Sequence, residues 1–428
     1  MRILSGREAW SFIAEMEERG VESKIFMEAV EPIVRDVRSR GDAAVSEHLY
    51  KMYGVDLSPE EFRIPRGALE GALEEVPEEV ISAIEEAAER VREFHELQVP
   101  SRLEVEVDEG VYGIRWVPLE RIGIHVPEYE DVAYVSTLIS SAVPAQVAGV
   151  EEVAVFTPPL PEGSVSPVLL AACSILGIEE VYRVGGPVAV AAMAYGTETI
   201  EAVDKVFGSG DWYFMAAKRL VRADVATDPP SGPSESVVLA MPGADAEEAA
   251  WEIVSQAEHD VDSLVILVAA SREQAEEIVR SCEEVLERIP RRDVAREALR
   301  SRGAVLVFER LEDAVTAVNL LAPERVRIVP GDRGVAERIR NAGAVFCGSS
   351  TPSVLGDYAI GMSQLLPSAG FSRSYGAVTV VDFMRAEVYA ELNERGAAKL
   401  ARLAKRLAEI EGLYAHAMAA ERISTSRP

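Results

Sequence analysis

Gln256 and His259 stand three residues apart in the string SQAEHD, at the end of an amphipathic segment that begins near Asp245. Positions i and i+3 share one face of a helix, so an amide oxygen and an imidazole nitrogen can be aimed at one point. That pairing suits a metal ion. The other reading is a helix C-cap, where a cationic ring meets the negative end of the helix dipole. Five loops could carry further chemistry: VGGPV, FGSGD, SGPSE, APERV and STPSVLGDYAIG. A glycine loop opening a helix can cradle phosphate. None of these has the GxGxxG pattern, and tight turns use the same glycines.

Those residues need a frame. From about Gly6 to Pro100 apolar residues recur every three or four, which predicts helices, with breaks at Gly20, RSRGD, DLSPEEF and Pro77. LEVEVDEGVYGIRWVPL alternates with period two and turns at Asp108–Gly110, so a strand pair is expected. Nine short apolar runs follow: RIGIHV, EEVAVF, EEVYRV, VDKVF, ESVVLAM, SLVILVAA, AVLVFE, RVRIV and AVFCG. Amphipathic stretches separate most of them, which argues for parallel sheets covered on both faces. Nine strands are many for one sheet, so the fold class is α/β with two domains. The Pro- and Ser-rich ATDPPSGPSES marks the crossing point, and from Met384 onward the chain reads as helical. In open parallel sheets ligands bind beyond the carboxyl ends of the strands, on loops such as those five.

Composition narrows the partners. The chain has 428 residues, 48% of them hydrophobic and 27% charged, as expected of a folded protein too long for one core. A net charge of −29 argues against nucleic acid and anionic membranes as partners and leaves a small-molecule substrate. Cys173, Cys282 and Cys347 form no CxxC pair, so a reducing cytoplasm fits best. No apolar signal core opens the sequence, and no apolar run reaches membrane-spanning length. A cytosolic location is expected.

Taken together, the strings VPAQVAGVEEV, VGGPVAVAAMAYGTETIEAVDKVFGSG, AAKRL, SGPSE, SQAEHDVDS, APER, GDYAIG, LLPSAG, VVDF and GLYAH resemble the histidinol dehydrogenase family. They fall in the family's order across roughly residues 30–420. The resemblance implies two incomplete Rossmann-like domains and a zinc-dependent, NAD-linked homodimer with a shared active site. It also implies oxidation of L-histidinol through the aldehyde to L-histidine. With the pattern above it divides the chain into an N-terminal helical piece (1–25), a discontinuous α/β domain (26–125 with 236–380), a second Rossmann-like domain (126–235) and a C-terminal helical piece (381–428).

The resemblance also implies roles. Gln256, His259 and Asp357 become zinc ligands, with His416 supplied by the other chain. A caps-and-core reading stays open, with Asp357 capping a turn and His416 buried in a helix or interface. Ser234 corresponds to a substrate-contacting serine or caps its turn. Glu411 corresponds to a glutamate reaching the substrate across the dimer, or lies on a solvated helix face. Glu324 corresponds to the glutamate that activates water for the second oxidation, or is an edge-strand charge.

Several positions depart from the family. Arg325 stands where the family has its acid–base histidine, and arginine stays protonated at any ordinary pH. It could instead hold an anionic substrate by bidentate contact. Gln364 replaces a substrate-binding histidine. On the cofactor side His125, Val188 and Asp211 replace a tyrosine, a glutamine and an asparagine, and Pro127–Tyr134 carries an apparent insertion. Three readings follow: a zinc- and NAD-dependent histidinol oxidoreductase whose base is Glu324 or His125, a paralogue acting on an anionic alcohol held by Arg325, and a redox-inactive metal-binding dimer.

Overall fold

The structure is a computed structural model that describes residues 1–17, 19, 23–129 and 132–425. Within the apparent insertion, Glu130 and Asp131 lie outside the described residues. All nine apolar runs fold as strands of two parallel sheets, so the chain is α/β. One sheet has six strands in the order Arg2–Ser5, Ala304–Val307, Leu264–Ala269, Glu235–Ala240, Arg325–Val329 and Ala344–Cys347. The other has five: Ala226–Thr227, Lys205–Gly208, Arg121–His125, Glu152–Phe156 and Glu180–Tyr182. Helices cover both faces, which is why Glu235–Ala240 and Arg325–Val329 are buried along their whole length.

The domain partition drawn from the sequence is corrected in four places. Arg121–His125 is the central strand of the five-stranded sheet and does not belong with residues 236–380. The helices Ser23–Arg40, Asp42–Tyr53, Arg66–Glu75 and Glu78–Glu96 pack on that same sheet's helices. The reason is a shared core: Val30, Val34, Val37 and Leu49 pack with Val188, Ala192 and Phe214. At the other end, the N-terminal piece is not purely helical. Arg2–Ser5 pairs in parallel with Ala304–Val307, and the helix Gly6–Glu17 lies on the six-stranded sheet.

The C-terminal piece is corrected too. Met384–Leu392 is a strand, antiparallel to Gly110–Pro118 along its whole length, and Leu103–Val107 completes a three-stranded sheet. Only then come two helices, Glu394–Ile410 and Tyr414–Thr425, packed on each other as an arm. The arm leaves Leu403, Leu407, Ile410, Tyr414 and Met418 exposed. No helix among the described residues is long and apolar enough to cross a membrane.

Candidate active site

One cavity gathers most of the singled-out residues: Asp211, Ser234, His259, Glu324, Arg325, Asp357 and Gln364 all line it. One wall is the carboxyl edge of the five-stranded sheet, where Ser209–Asp211 follow the strand Lys205–Gly208. The facing wall is the amino edge of the six-stranded sheet. Ser234 precedes Glu235–Ala240, and Glu324 precedes the neighbouring strand Arg325–Val329. The rule that ligands lie beyond the carboxyl ends therefore holds for one sheet only, because the two sheets meet the cavity with opposite polarity.

Glu324 is buried. Its Oε2 accepts the backbone N–H of Glu235 at 3.0 Å, and its Oε1 accepts from Arg325 Nη1 at 2.5 Å. Burial pushes its carboxyl up to about 7, outweighing the lowering effect of the Arg325 guanidinium and the Glu235 N–H. Arg325 spends its other terminal nitrogen on Asp357 Oδ1, at 3.1 Å. Both of its terminal nitrogens thus serve the protein's own carboxylates. Those pairs compete with a bidentate contact between Arg325 and an anionic substrate.

His259 and Gln256 arrive differently from the helix-face expectation. The helix Ala246–Ala257 ends before His259, and Glu258 occupies the C-cap position. Burial, and then the Arg325 charge, lower the His259 imidazole to about 4. A neutral ring is no cationic cap, so the C-cap reading fails. Gln256 lies behind the cavity wall, buried. Its Nε2 donates to Ser353 Oγ at 3.1 Å and to Asp357 Oδ2 at 3.4 Å. Its Oε1 is buried and receives no hydrogen bond. A buried amide oxygen without a donor is costly unless something else uses it.

That orphaned oxygen tests the metal. The donor set of an open amide oxygen, a neutral imidazole and a carboxylate fits zinc, with positions left for a further donor and a substrate. Among the described residues no three His, Cys, Asp or Glu side chains cluster within one chain. His416 and Glu411 do not reach the cavity: both are exposed, on the C-terminal arm.

The three cofactor-side positions each have a partner or packing role within the protein. His125 Nδ1 donates to the Ser209 carbonyl at 2.9 Å, its Nε2 accepts the Gly186 N–H at 3.1 Å, and its ring stacks on Phe214 with centroids 4.2 Å apart. Burial lowers it to about 4. With both nitrogens engaged, His125 is not an alternative general base. Val188 is fully buried in the helix Gly186–Tyr195 and faces core, not cavity. Asp211 caps the helix Trp212–Val221, accepting from Phe214 N at 2.8 Å.

A second cavity opens at the carboxyl edge of the five-stranded sheet, between Tyr53, His125, Glu128, Pro159, Asp211 and Phe214. Its aromatic and proline walls suit the rings of a dinucleotide, and its carboxylates suit ribose hydroxyls. It offers little to a pyrophosphate. Among the described residues no Lys or Arg lines it, Asp211 occupies one helix N-terminus, and the Gly186 N–H of the other is given to His125.

Sequence reasoning missed the carboxylates Asp260 and Asp262 and the ring of Tyr134, whose hydroxyl donates to the His259 carbonyl at 3.4 Å. The two aspartates were legible as acids directly after His259. Tyr134 carried no signal, because it comes from a different part of the chain.

The family profile for histidinol dehydrogenase matches residues 16–423. A histidinol dehydrogenase of Synechococcus is 39% identical over 391 residues, covering 91% of this chain and 90% of that protein. One from Methanothermobacter thermautotrophicus is 38% identical over 408 residues, with 95% of each chain covered. The crystal structure of histidinol dehydrogenase from Elizabethkingia anophelis superposes with a TM-score of 0.88 at 29% identity, covering 100% of this chain and 98% of that one.

Proposed function

The chain belongs to the histidinol dehydrogenase family of oxidoreductases acting on CH–OH groups, and on that premise we propose that it oxidises L-histidinol, or a closely related cationic amino alcohol, through the aldehyde to the acid in the cytoplasm. In this reading zinc is held by Gln256, His259, Asp357 and His416 of the partner subunit, and NAD takes the hydride. The observation that carries the substrate class is the charge of the cavity: among the described residues Asp211, Asp260, Asp262, Glu324 and Asp357 line it against the one arginine, Arg325. An ammonium group gains from that field and an anionic alcohol is repelled. This favours the amino alcohol over the anionic-alcohol alternative.

When bound, zinc supplies Lewis acidity toward the alcohol oxygen and NAD accepts hydride. The chain's own residues do the rest. Burial poises the Glu324 carboxyl near neutrality, where a group both takes and returns protons efficiently. It removes the hydroxyl proton in the first oxidation and a proton from water when the aldehyde is hydrated for the second. Arg325 stays charged throughout and holds Glu324 and Asp357 in place. Ser234 and Gln364, on the cavity wall, are positioned to orient the substrate.

Support for the shared site is geometric. An apolar groove lined by Val80, Ala83, Ile84, Ile139 and Met362 runs up to His259 and Asp357. An arm with exposed leucines, Tyr414 and Met418 suits such a groove on a second copy, and would bring Glu411 and His416 with it. The testing experiment is reduction of NAD with zinc present, across L-histidinol and several carboxylated or sulfonated alcohols. Turnover with histidinol and silence with the anionic alcohols is expected. Preference for an anionic alcohol overturns the proposal.

A further inference from the structure

Behind the cavity the helix Ala246–Ala257 lays Glu248, Glu252 and Gln256 along one face at successive intervals of four. That face lies over the strand Arg325–Val329, whose residues 325 and 327 point to the same side. Arg327 is almost wholly buried. Its Nη2 meets Glu248 at 2.7 Å and its Nε lies 3.5 Å from Glu252 Oε2. Glu252, also buried, accepts both the backbone N–H of Ser353, at 3.1 Å, and the Ser353 hydroxyl. Ser353 Oγ in turn accepts from Gln256 Nε2.

The direction of these bonds is fixed by chemistry. A carboxylate only accepts, so the single hydroxyl proton of Ser353 goes to Glu252, and Oγ has only lone pairs left for Gln256. Asp357 Oδ2, the second neighbour of the amide, is an acceptor as well. Both groups facing the amide therefore demand its NH2, and the carbonyl oxygen must face the other way. We infer that Ser353, anchored by Glu252 and Arg327, is a positioning residue that sets the Gln256 amide with its oxygen toward the metal. Without that anchor only the longer, 3.4 Å contact with Asp357 Oδ2 opposes a turn of the NH2 toward the cation, which repels it. The inference rests on the zinc reading above and adds to it three residues that touch neither metal nor substrate.

The test is zinc affinity of the full-length protein, by competition with a chromophoric chelator. Ser353→Ala weakens zinc about 10- to 100-fold, the range for removing an outer-shell partner, while Ser353→Thr, which keeps the hydroxyl, stays near the parent. Gln256→Ala weakens zinc at least as much. Adding Ser353→Ala to Gln256→Ala causes no further loss, because Ser353 acts only through the amide. If Ser353→Ala compromises folding, Glu252→Gln carries the test, since a neutral amide there lets the Ser353 hydroxyl turn toward Gln256. Parent-like zinc affinity in Ser353→Ala, or a loss that adds to that of Gln256→Ala, overturns the inference and leaves the zinc reading standing. Indifference of zinc binding to Gln256→Ala and His259→Ala alike overturns both.

Discussion

Replacing Glu324 by Gln separates activity from stability in opposite directions, and the size of each effect follows from the burial of one carboxyl. Its ordinary value is 4.5 and burial raises it to about 7. The folded protein therefore holds this proton more tightly than the unfolded chain does. Ionisation opposes folding progressively as pH rises from about 4.5 to about 7, and the penalty is complete above that. A difference of about 2.5 units corresponds to about 3 kcal/mol. Spread over a chain of this length, whose unfolding entropy is of the order of 0.9 kcal/mol per degree, that is roughly 4 °C in Tm.

Glu324→Gln keeps the shape and removes the titration. The parent should lose about 3 °C more than the variant between pH 5, where part of the penalty is already present, and pH 8.5, measured by differential scanning fluorimetry in matched buffers. Comparing the two slopes cancels any constant cost of weakening the contact with Arg325. In the same variant the oxidation rate should fall about 10²- to 10⁴-fold, and the parent's rate should rise with pH up to about 7 and then level. Equal slopes in parent and variant would refute the buried-carboxylate argument. A variant that keeps its turnover would refute Glu324 as the base.

Four further outcomes are expected. Asp211→Asn keeps the helix cap but removes a charge facing the cofactor cavity; two phosphate charges about 8 Å away in a solvent-like medium make this worth about 1 kcal/mol, a roughly fivefold lower KM for NAD. Arg325→His removes the permanent charge that pairs with both Glu324 and Asp357 and should lower histidinol oxidation about tenfold or more, so a rate that rises in the variant would count against Glu324 as the base. Stripping zinc with a chelator should abolish turnover, and adding zinc back to about 100 times its Kd should restore both activity and about 2.7 kcal/mol of stability. Gln256→Ala and His416→Ala should each be inactive alone, yet co-expression should restore about a quarter of the sites, because half the dimers are mixed and each has one intact site; no recovery would mean that the arm does not cross between subunits.

The parts of the fold that were legible in the sequence are those governed by local periodicity. The apolar runs had the length and the flanking breaks of buried parallel strands, and all became strands. Arg2–Ser5 was missed because RILS is too short to show a period. Met384–Leu392 was missed although MRAEVYAEL alternates, because the helical pattern after it dominates the window. The domain partition failed for another reason. Which sheet the helices of residues 23–96 cover depends on long-range complementarity, Val30 and Leu49 against Val188 and Phe214, and no local pattern encodes that. In the site, residue types were readable but not their commitments. Nothing in GIHVP says that His125 will spend both nitrogens on Ser209 and Gly186, and nothing in FGSGD says that Asp211 will cap a helix.

Arg325 shows what such a commitment does to function. An arginine in place of a histidine reads, residue by residue, as the loss of a proton shuttle. In three dimensions it is the end of a buried alternation of charge: Glu248, Arg327, Glu252, then through Ser353 and Gln256 to Asp357, Arg325 and Glu324. Buried carboxylates are costly unless paired, and this arrangement gives each of them a partner. Removing the guanidinium would leave Glu324 and Asp357 facing each other unscreened. One of the two would then take up a proton, and with it would go either the base or the ligand. The permanent charge at Arg325 thus pairs with Asp357 while Glu324, buried beside it, remains poised near neutrality for proton transfer. The arginine gives up a proton shuttle at its own position and keeps one possible at the residue beside it.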